Sequence, residues 1–320
     1  MFHWKKLGRV FDPASHQRIW LSEFGQAPAT LILEDRLRVF FACRPPRDRD
    51  NLYVSYTAFA DFDLKDPTKL LQVADSPVLN LGDRGCFDEH GTYPLSVIQE
   101  NDSLRAFYAG WSRCESVPYT VAIGSARSHD NGSTFVKNGP GPVLAISTTD
   151  PYLVSGPKIR RFNDKFYLFY ISTVRWELDA GRAESIYKIR VATSDDGETW
   201  FRSGKNLISD VLDLNECQAS PDVLFMNGKY HMFFSYKYGL NFRGNGRGYR
   251  IGYAVSGDLV NWSRDDSKAG IQPGGECWED QSIAYPHVFC LKKKVFMLYN
   301  GNDVGKHGFG IAELKNAKTI

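Results

Sequence analysis

Five X-Pro dipeptides punctuate the chain at Ala27-Pro28, Tyr93-Pro94, Gly156-Pro157, Ser220-Pro221 and Tyr285-Pro286, with prolines 66, 63, 64 and 65 residues apart. A fixed period of this length marks one supersecondary unit repeated in space. Each dipeptide opens an alternating apolar run that returns through a polar turn, such as Asn163-Asp164 or Asn227-Gly228, into an aromatic-rich second run. The second runs end at Phe40-Phe41, Phe107-Tyr108, Phe169-Tyr170, Phe233-Phe234 and Leu298-Tyr299. Third strands are predicted over 52–58, 121–126, 189–193, 251–255 and 308–313. Three of them lead into a Ser/Asp/Gly turn closed by an aromatic, at Phe135, Trp200 and Trp262, placed to plug the gap between neighbouring units. Four antiparallel strands repeated radially predict an all-β, five-bladed β-propeller.

The fifth unit has no fourth strand before Ile320. The segment around Trp4, which matches Trp200 and Trp262 in pattern, is expected to supply it and close the ring beside residues 309–313. All of 1–320 is then one domain. The 39 basic and 37 acidic residues nearly cancel, so no global field favours nucleic acid or an anionic membrane. No signal-peptide pattern or membrane-length apolar run is present, and the six cysteines form no CxxC pair. A cytoplasmic protein with reduced thiols is expected; the oligomeric state is left open.

In a propeller the segments leading into the inner strands share a face with the loops between second and third strands. Acids recur in those lead-in segments: Glu23, Asp88 and Glu89, Asp150, Glu216, Glu279 and Asp280. They are expected to converge on one axial pocket, where paired carboxylates split their pKa values into an acid and a base or nucleophile. The facing loops are rich in cations, among them Arg44, Arg47, Arg113, Arg175, Arg182, Lys237 and Arg243, and they carry Trp111 and Trp176. Guanidinium forks suit carboxylate and phosphate, and indole faces suit sugar rings. The expected ligand is an anionic or nucleotide-linked sugar, bound by Arg44, Trp111, Arg175, Trp176, Lys237 and His90. Cys86, Cys217 and Cys277 with His90 and His287 are too irregularly spaced for a zinc site. No metal or cofactor is expected.

This layout resembles the clan of five-bladed glycosidases that contains invertases, fructanases, arabinanases and β-xylosidases, together with the mannoside phosphorylases. Asn215-Glu216-Cys217 ahead of Ser220-Pro221 is similar to the Glu-Cys motif of the invertase group. Gly85-Cys86-Phe87-Asp88-Glu89-His90-Gly91 and Tyr108-Ala109-Gly110-Trp111 resemble propeller proteins associated with surface-polysaccharide synthesis. The resemblance implies a glycoside-hydrolase-type enzyme with Glu216 as general acid. Asp88 or Glu89 would be base or nucleophile, Asp280 the alternate, and Glu23 or Asp150 a tuning neighbour. Departures exist: Ser22-Glu23-Phe24-Gly25-Gln26 stands where the invertase group has Asn-Asp-Pro-Asn-Gly. A transferase, a phosphorylase and a non-catalytic glycan- or protein-binding propeller remain alternatives. Acids tied up in salt bridges would favour the binding propeller.

Overall fold

A computed structural model of the protein describes residues 1–243 and 246–315. Its strands form five four-stranded antiparallel sheets, each built outward from an X-Pro strand. Blade one holds β2 (Glu23–Ile32), β3 (Arg36–Arg44), β4 (Tyr56–Asp63) and β5 (Leu70–Val73). Blade two holds β6 (Gly91–Glu100), β7 (Ser103–Arg113), β8 (Tyr119–Ser128) and β9 (Val136–Lys137). Blade three holds β10 (Val154–Phe162), β11 (Lys165–Asp179), β12 (Arg182–Ser194) and β13 (Phe201–Arg202). Blade four holds β14 (Glu216–Met226), β15 (Lys229–Tyr238), β16 (Arg250–Ser256) and β17 (Ser263–Arg264). Blade five holds β18 (Ala284–Leu291), β19 (Lys294–Asn300), β20 (Phe309–Leu314) and, from the other end of the chain, β1 (Trp4–Phe11).

Closure follows the expected route. β1 pairs antiparallel with β20, Trp4 opposite Leu314 and Phe11 opposite Phe309, so the outer edge of β20 is covered. In blades two to four the aromatic after the third strand, and in blade five Trp4 in its place, meets a second-strand phenylalanine of the preceding blade edge-on. The pairs are Phe135–Phe40, Trp200–Phe107, Trp262–Phe169 and Trp4–Phe233, with ring centroids 5.6, 5.4, 6.5 and 5.4 Å apart. Their polar turns close on themselves. In the three Ser/Asp turns Ser128, Ser194 and Ser256 donate to Asp130, Asp196 and Asp258, which accept backbone N–H groups in turn. No helix of the described residues is long and apolar enough to cross a membrane.

The X-Pro dipeptides break the inner strands in register. The pairing of each inner strand with its neighbour shifts there, and Ala27, Gly156, Ser220 and Tyr285 take positive φ of 53, 61, 45 and 53°. A bulge re-aims side chains, and here it turns the residue before each proline toward the axis. Below that level the channel is filled by a buried polar network. The Thr30 N–H donates to His287 Nε2 at 2.9 Å, so the ring proton sits on Nδ1, 2.8 Å from Asp222. Lys158 Nζ donates to the Pro28 carbonyl. Burial lowers Lys158 to about 8 and, with Lys158 beside it, His287 to about 4. Burial alone would raise Asp222, but Arg160, His287 and Lys158 outweigh it and hold the carboxyl well below the usual range.

Candidate active site

Above this plug opens an axial pocket of about 500 Å³. Its floor is the repeat itself: Ala27, Tyr93, Gly156, Ser220 and Tyr285, the residues before the five prolines, all line it. Three small residues leave room for a ligand, while the two tyrosines make the floor lopsided. The walls come from the loops between second and third strands and the starts of the third strands. They bring Tyr53, Tyr119, Tyr187, Tyr249 and Trp111, and four arginines: Arg44, Arg47, Arg113 and Arg182. Among the described residues no carboxylate lines the pocket.

Each wall residue is held from behind. Arg44 lies over the Phe24 ring at 4.2 Å and donates to Ser55, Gln26 and Tyr93. Arg113 is aimed by Asp48 at 2.8 Å and by the Tyr53 carbonyl at 2.9 Å. Tyr187 and Tyr249 are bonded hydroxyl to hydroxyl. Burial pushes the phenols of Tyr119, Tyr187, Tyr249 and Tyr285 up, so they remain neutral hydroxyls able to donate and accept. Trp111 packs beside His90 with ring centroids 5.8 Å apart. It also lies across Gly91, where a Cβ would stand only 1.7 Å from the indole nitrogen. That indole N–H is buried with no partner.

The expected convergence of carboxylates at the axis does not occur. Asp88, Asp150 and Glu216 are each turned outward within their own blade and spent there. Asp88 accepts from Tyr108 at 2.9 Å and pairs with Lys137 on β9 at 2.5 Å. Asp150 accepts from Tyr170 and pairs with Arg190 and with Arg202 on β13 at 2.9 and 3.0 Å. Glu216 pairs with Arg264 on β17 at 2.5 Å and accepts the backbone N–H of Val211 and Leu212. Glu279 repeats the device with Lys6 on β1 at 2.8 Å. The recurrence comes from architecture: an acid at the start of the blade is pinned to a cation on its outermost strand. Burial and the adjacent carboxylate raise the Tyr108 and Tyr170 phenols well above their usual range.

The remaining acids lie apart. Glu89 accepts from the Gly85 N–H, and Asp280 is exposed and accepts from Asn302. Glu23 stands behind the pocket wall and accepts from Tyr53 at 2.7 Å. Of the expected binding residues, Arg44 and Trp111 line the pocket. His90 backs Trp111, and Trp176 backs Tyr119 edge-on at 5.6 Å. Arg175 bridges Glu177 to the Leu214 carbonyl and Asn215. Lys237 is buried over the Phe242 ring at 3.2 Å, and burial lowers its pKa. Neither of these two reaches the pocket. Sequence reasoning misses the wall tyrosines, although Tyr119, Tyr187 and Tyr249 each stand two residues before the apolar residue that opens the third-strand run. Among the described residues no group of three His, Cys, Asp or Glu side chains is placed to hold a metal.

The blades, their order and the axial pocket define a five-bladed propeller of the glycoside-hydrolase fold. A solved glycoside hydrolase superposes with a TM-score of 0.76 at 16% identity, over 98% of this protein and 92% of that one. BT0996, solved as an RGII complex, gives 0.74 at 17% identity over 98% and 92%. A structure from the GH130 family of mannoside phosphorylases, described as containing glycoside hydrolases that target β-1,2 mannosidic linkages, gives 0.69 at 14% over 99% and 94%. No protein-family model matches the sequence. In sequence it belongs to the family of the uncharacterized Mycobacterium tuberculosis proteins Rv1502 and MT1551. It is 31% identical to each over 314 residues, covering 98% of this protein and 99% of theirs.

Proposed function

We propose that the axial pocket is a carbohydrate site for a sugar bearing phosphate or carboxylate, a sugar phosphate or nucleotide-linked sugar above all, and that the protein is carbohydrate-active through it. The observation that carries this reading is the lining: four arginines and seven aromatic side chains, with no carboxylate among the described residues. Guanidinium forks bind oxyanions bidentately, aromatic faces stack on the C–H face of a pyranose, and neutral phenols bond to its hydroxyls. The fold shared with glycoside hydrolases supports a carbohydrate ligand. Six free cysteines accord with a reducing cytoplasm, where activated sugars for surface-polysaccharide synthesis are made.

Hydrolysis by an acid–base pair at Glu216 and Asp88 is the second reading, and the geometry does not favour it. Two-carboxylate hydrolysis needs both groups flanking one glycosidic bond, roughly 5–10 Å apart. The Glu216 and Asp88 side chains are 0% and 1% exposed, and each is pinned to a cation outside the pocket. Calorimetric titration with glucose 1-phosphate, glucuronate and glucose tests the proposal. Phosphate and carboxylate ligands should bind at least tenfold tighter than the neutral sugar, with affinity falling as salt rises. Indifference to ligand charge and ionic strength would refute it.

A further inference from the structure

One pocket tyrosine differs from the rest. Tyr93, Tyr119, Tyr187, Tyr249 and Tyr285 bond to neutral groups or, for Tyr93, to Arg44. Tyr53 donates its phenolic proton to Glu23 Oε2 at 2.7 Å. Glu23 differs equally from the pinned acids of the other blades: its side chain is 28% exposed, and its nearest cation, Lys306, stands 3.9 Å from the other carboxylate oxygen. The Tyr53 ring lies under two guanidinium groups, Arg47 at 4.5 Å and Arg44 at 5.0 Å, and meets Phe24 edge-on at 5.8 Å. Arg113 fixes the Tyr53 backbone through its carbonyl at 2.9 Å.

A hydroxyl nucleophile with a carboxylate base on its proton makes up the arrangement that activates a weak nucleophile. Two arginines over the ring, at 4.5 and 5.0 Å, place positive charge beside the site where negative charge develops in the transition state. Resting on the anionic-sugar reading, we propose that Tyr53 is the nucleophile of this site and Glu23 its general base. The substrate class is a sugar joined at its anomeric carbon to a phosphate or diphosphate. Tyr53 Oη attacks the anomeric carbon while Glu23 takes the phenolic proton. The bond from that carbon to the phosphate oxygen breaks, and the leaving group departs with the electron pair: a diphosphate needs no proton, and a monophosphate bound as its monoanion leaves as the hydrogen phosphate dianion. Water or an acceptor hydroxyl then attacks the same carbon and releases its proton to solvent. The Tyr53 oxygen departs and takes its proton back from Glu23. A neutral phenol suits the site because a carboxylate nucleophile would approach an anionic substrate against like charge.

The probes are 2-deoxy-2-fluoroglycosyl fluorides of the gluco, galacto and manno series. Their leaving group needs no protonation, and their 2-fluorine slows release of the covalent intermediate. Intact-mass and peptide mass spectrometry should find one glycosyl adduct, on the peptide bearing Tyr53. Tyr53→Phe should abolish it and Glu23→Gln should slow it ~10²–10⁴-fold. Both variants should remain folded, with a far-ultraviolet circular dichroism spectrum and thermal midpoint close to those of wild type. An adduct on another residue, equal labelling of Tyr53→Phe, or a wild-type protein that binds glucose 1-phosphate yet takes no label from any probe would overturn the dyad alone. Absence of binding to every anionic sugar would remove the underlying reading, and the dyad with it.

Discussion

Arg264 Nη1 stands 2.5 Å from Glu216 Oε1, both side chains almost wholly buried, and so ties the first residue of β14 to the short outer strand β17. Glu216 thereby belongs to the scaffold of blade four. Breaking such a pair strands a buried charge. Asp266 still holds Arg264 at 2.8 Å, so Glu216→Ala should cost about 3 kcal/mol, the lower end for a buried pair. Ligand affinity should be unchanged wherever the variant is folded. Urea unfolding and calorimetry check both halves. Unaltered stability with lost turnover would return Glu216 to the chemistry.

Trp4 is the tryptophan wedge delivered from the opposite end of the chain. It packs edge-on against Phe233 and donates its indole N–H to the Ala269 carbonyl at 3.0 Å. Trp4→Ala should lower stability by ~3–5 kcal/mol, as for other large-to-small core changes. Trp4→Phe, which fills most of the space and loses the hydrogen bond, should lose about half as much. Denaturant midpoints of the three proteins decide it.

The axial network predicts a loss of stability in weak acid. His287 is held near 4, below its ordinary 6.5, by burial first and then by Lys158. Between those values the unfolded chain binds the proton and the folded chain does not. The folded state is therefore at full strength above about pH 6.5 and weakens as pH falls toward 4, by at most ~1.4 kcal/mol per unit. Asp222 lies well below the usual carboxylate range and Lys158 at about 8, so neither titrates in that window. Unfolding free energies from pH 7 to pH 4.5 should slope downward in wild type and more shallowly in His287→Gln.

Gly91 holds the wall at Trp111. A Cβ there would collide with the indole ring, 1.7 Å from Nε1. Gly91→Ala should push Trp111 into the pocket and weaken sugar-phosphate binding about tenfold. Overpacking of this kind costs ~1–3 kcal/mol of stability. Titration together with thermal unfolding separates the two effects, and unchanged affinity would remove Trp111 from the binding wall.

The architecture is open to reading because a propeller repeats its local chemistry. X-Pro spacing, period-two runs and the Ser/Asp turns ending at Trp200 and Trp262 are all short-range signals, and Trp4 carries the same signature to the far terminus. Arg44 and Trp111 follow from loop position, which the blade order dictates. The acids mislead for the same reason. Asp88, Asp150 and Glu216 recur with the repeat, and recurrence at the start of an inner strand looks like convergence on the axis. In the folded chain a cation on the outermost strand competes for each carboxylate. Lys137, Arg202 and Arg264 lie 49, 52 and 48 residues further along the sequence. Which way a buried carboxylate turns depends on which countercharge reaches it without crossing solvent, and that is a distance between blade edges. The chain by itself therefore determined five blades, their closure and a cationic mouth. Only tertiary structure decided that phenols rather than carboxylates would line the mouth, and that Glu23 would stand behind one of those phenols, because burial and pairing energies act through space across contacts that sequence order does not contain.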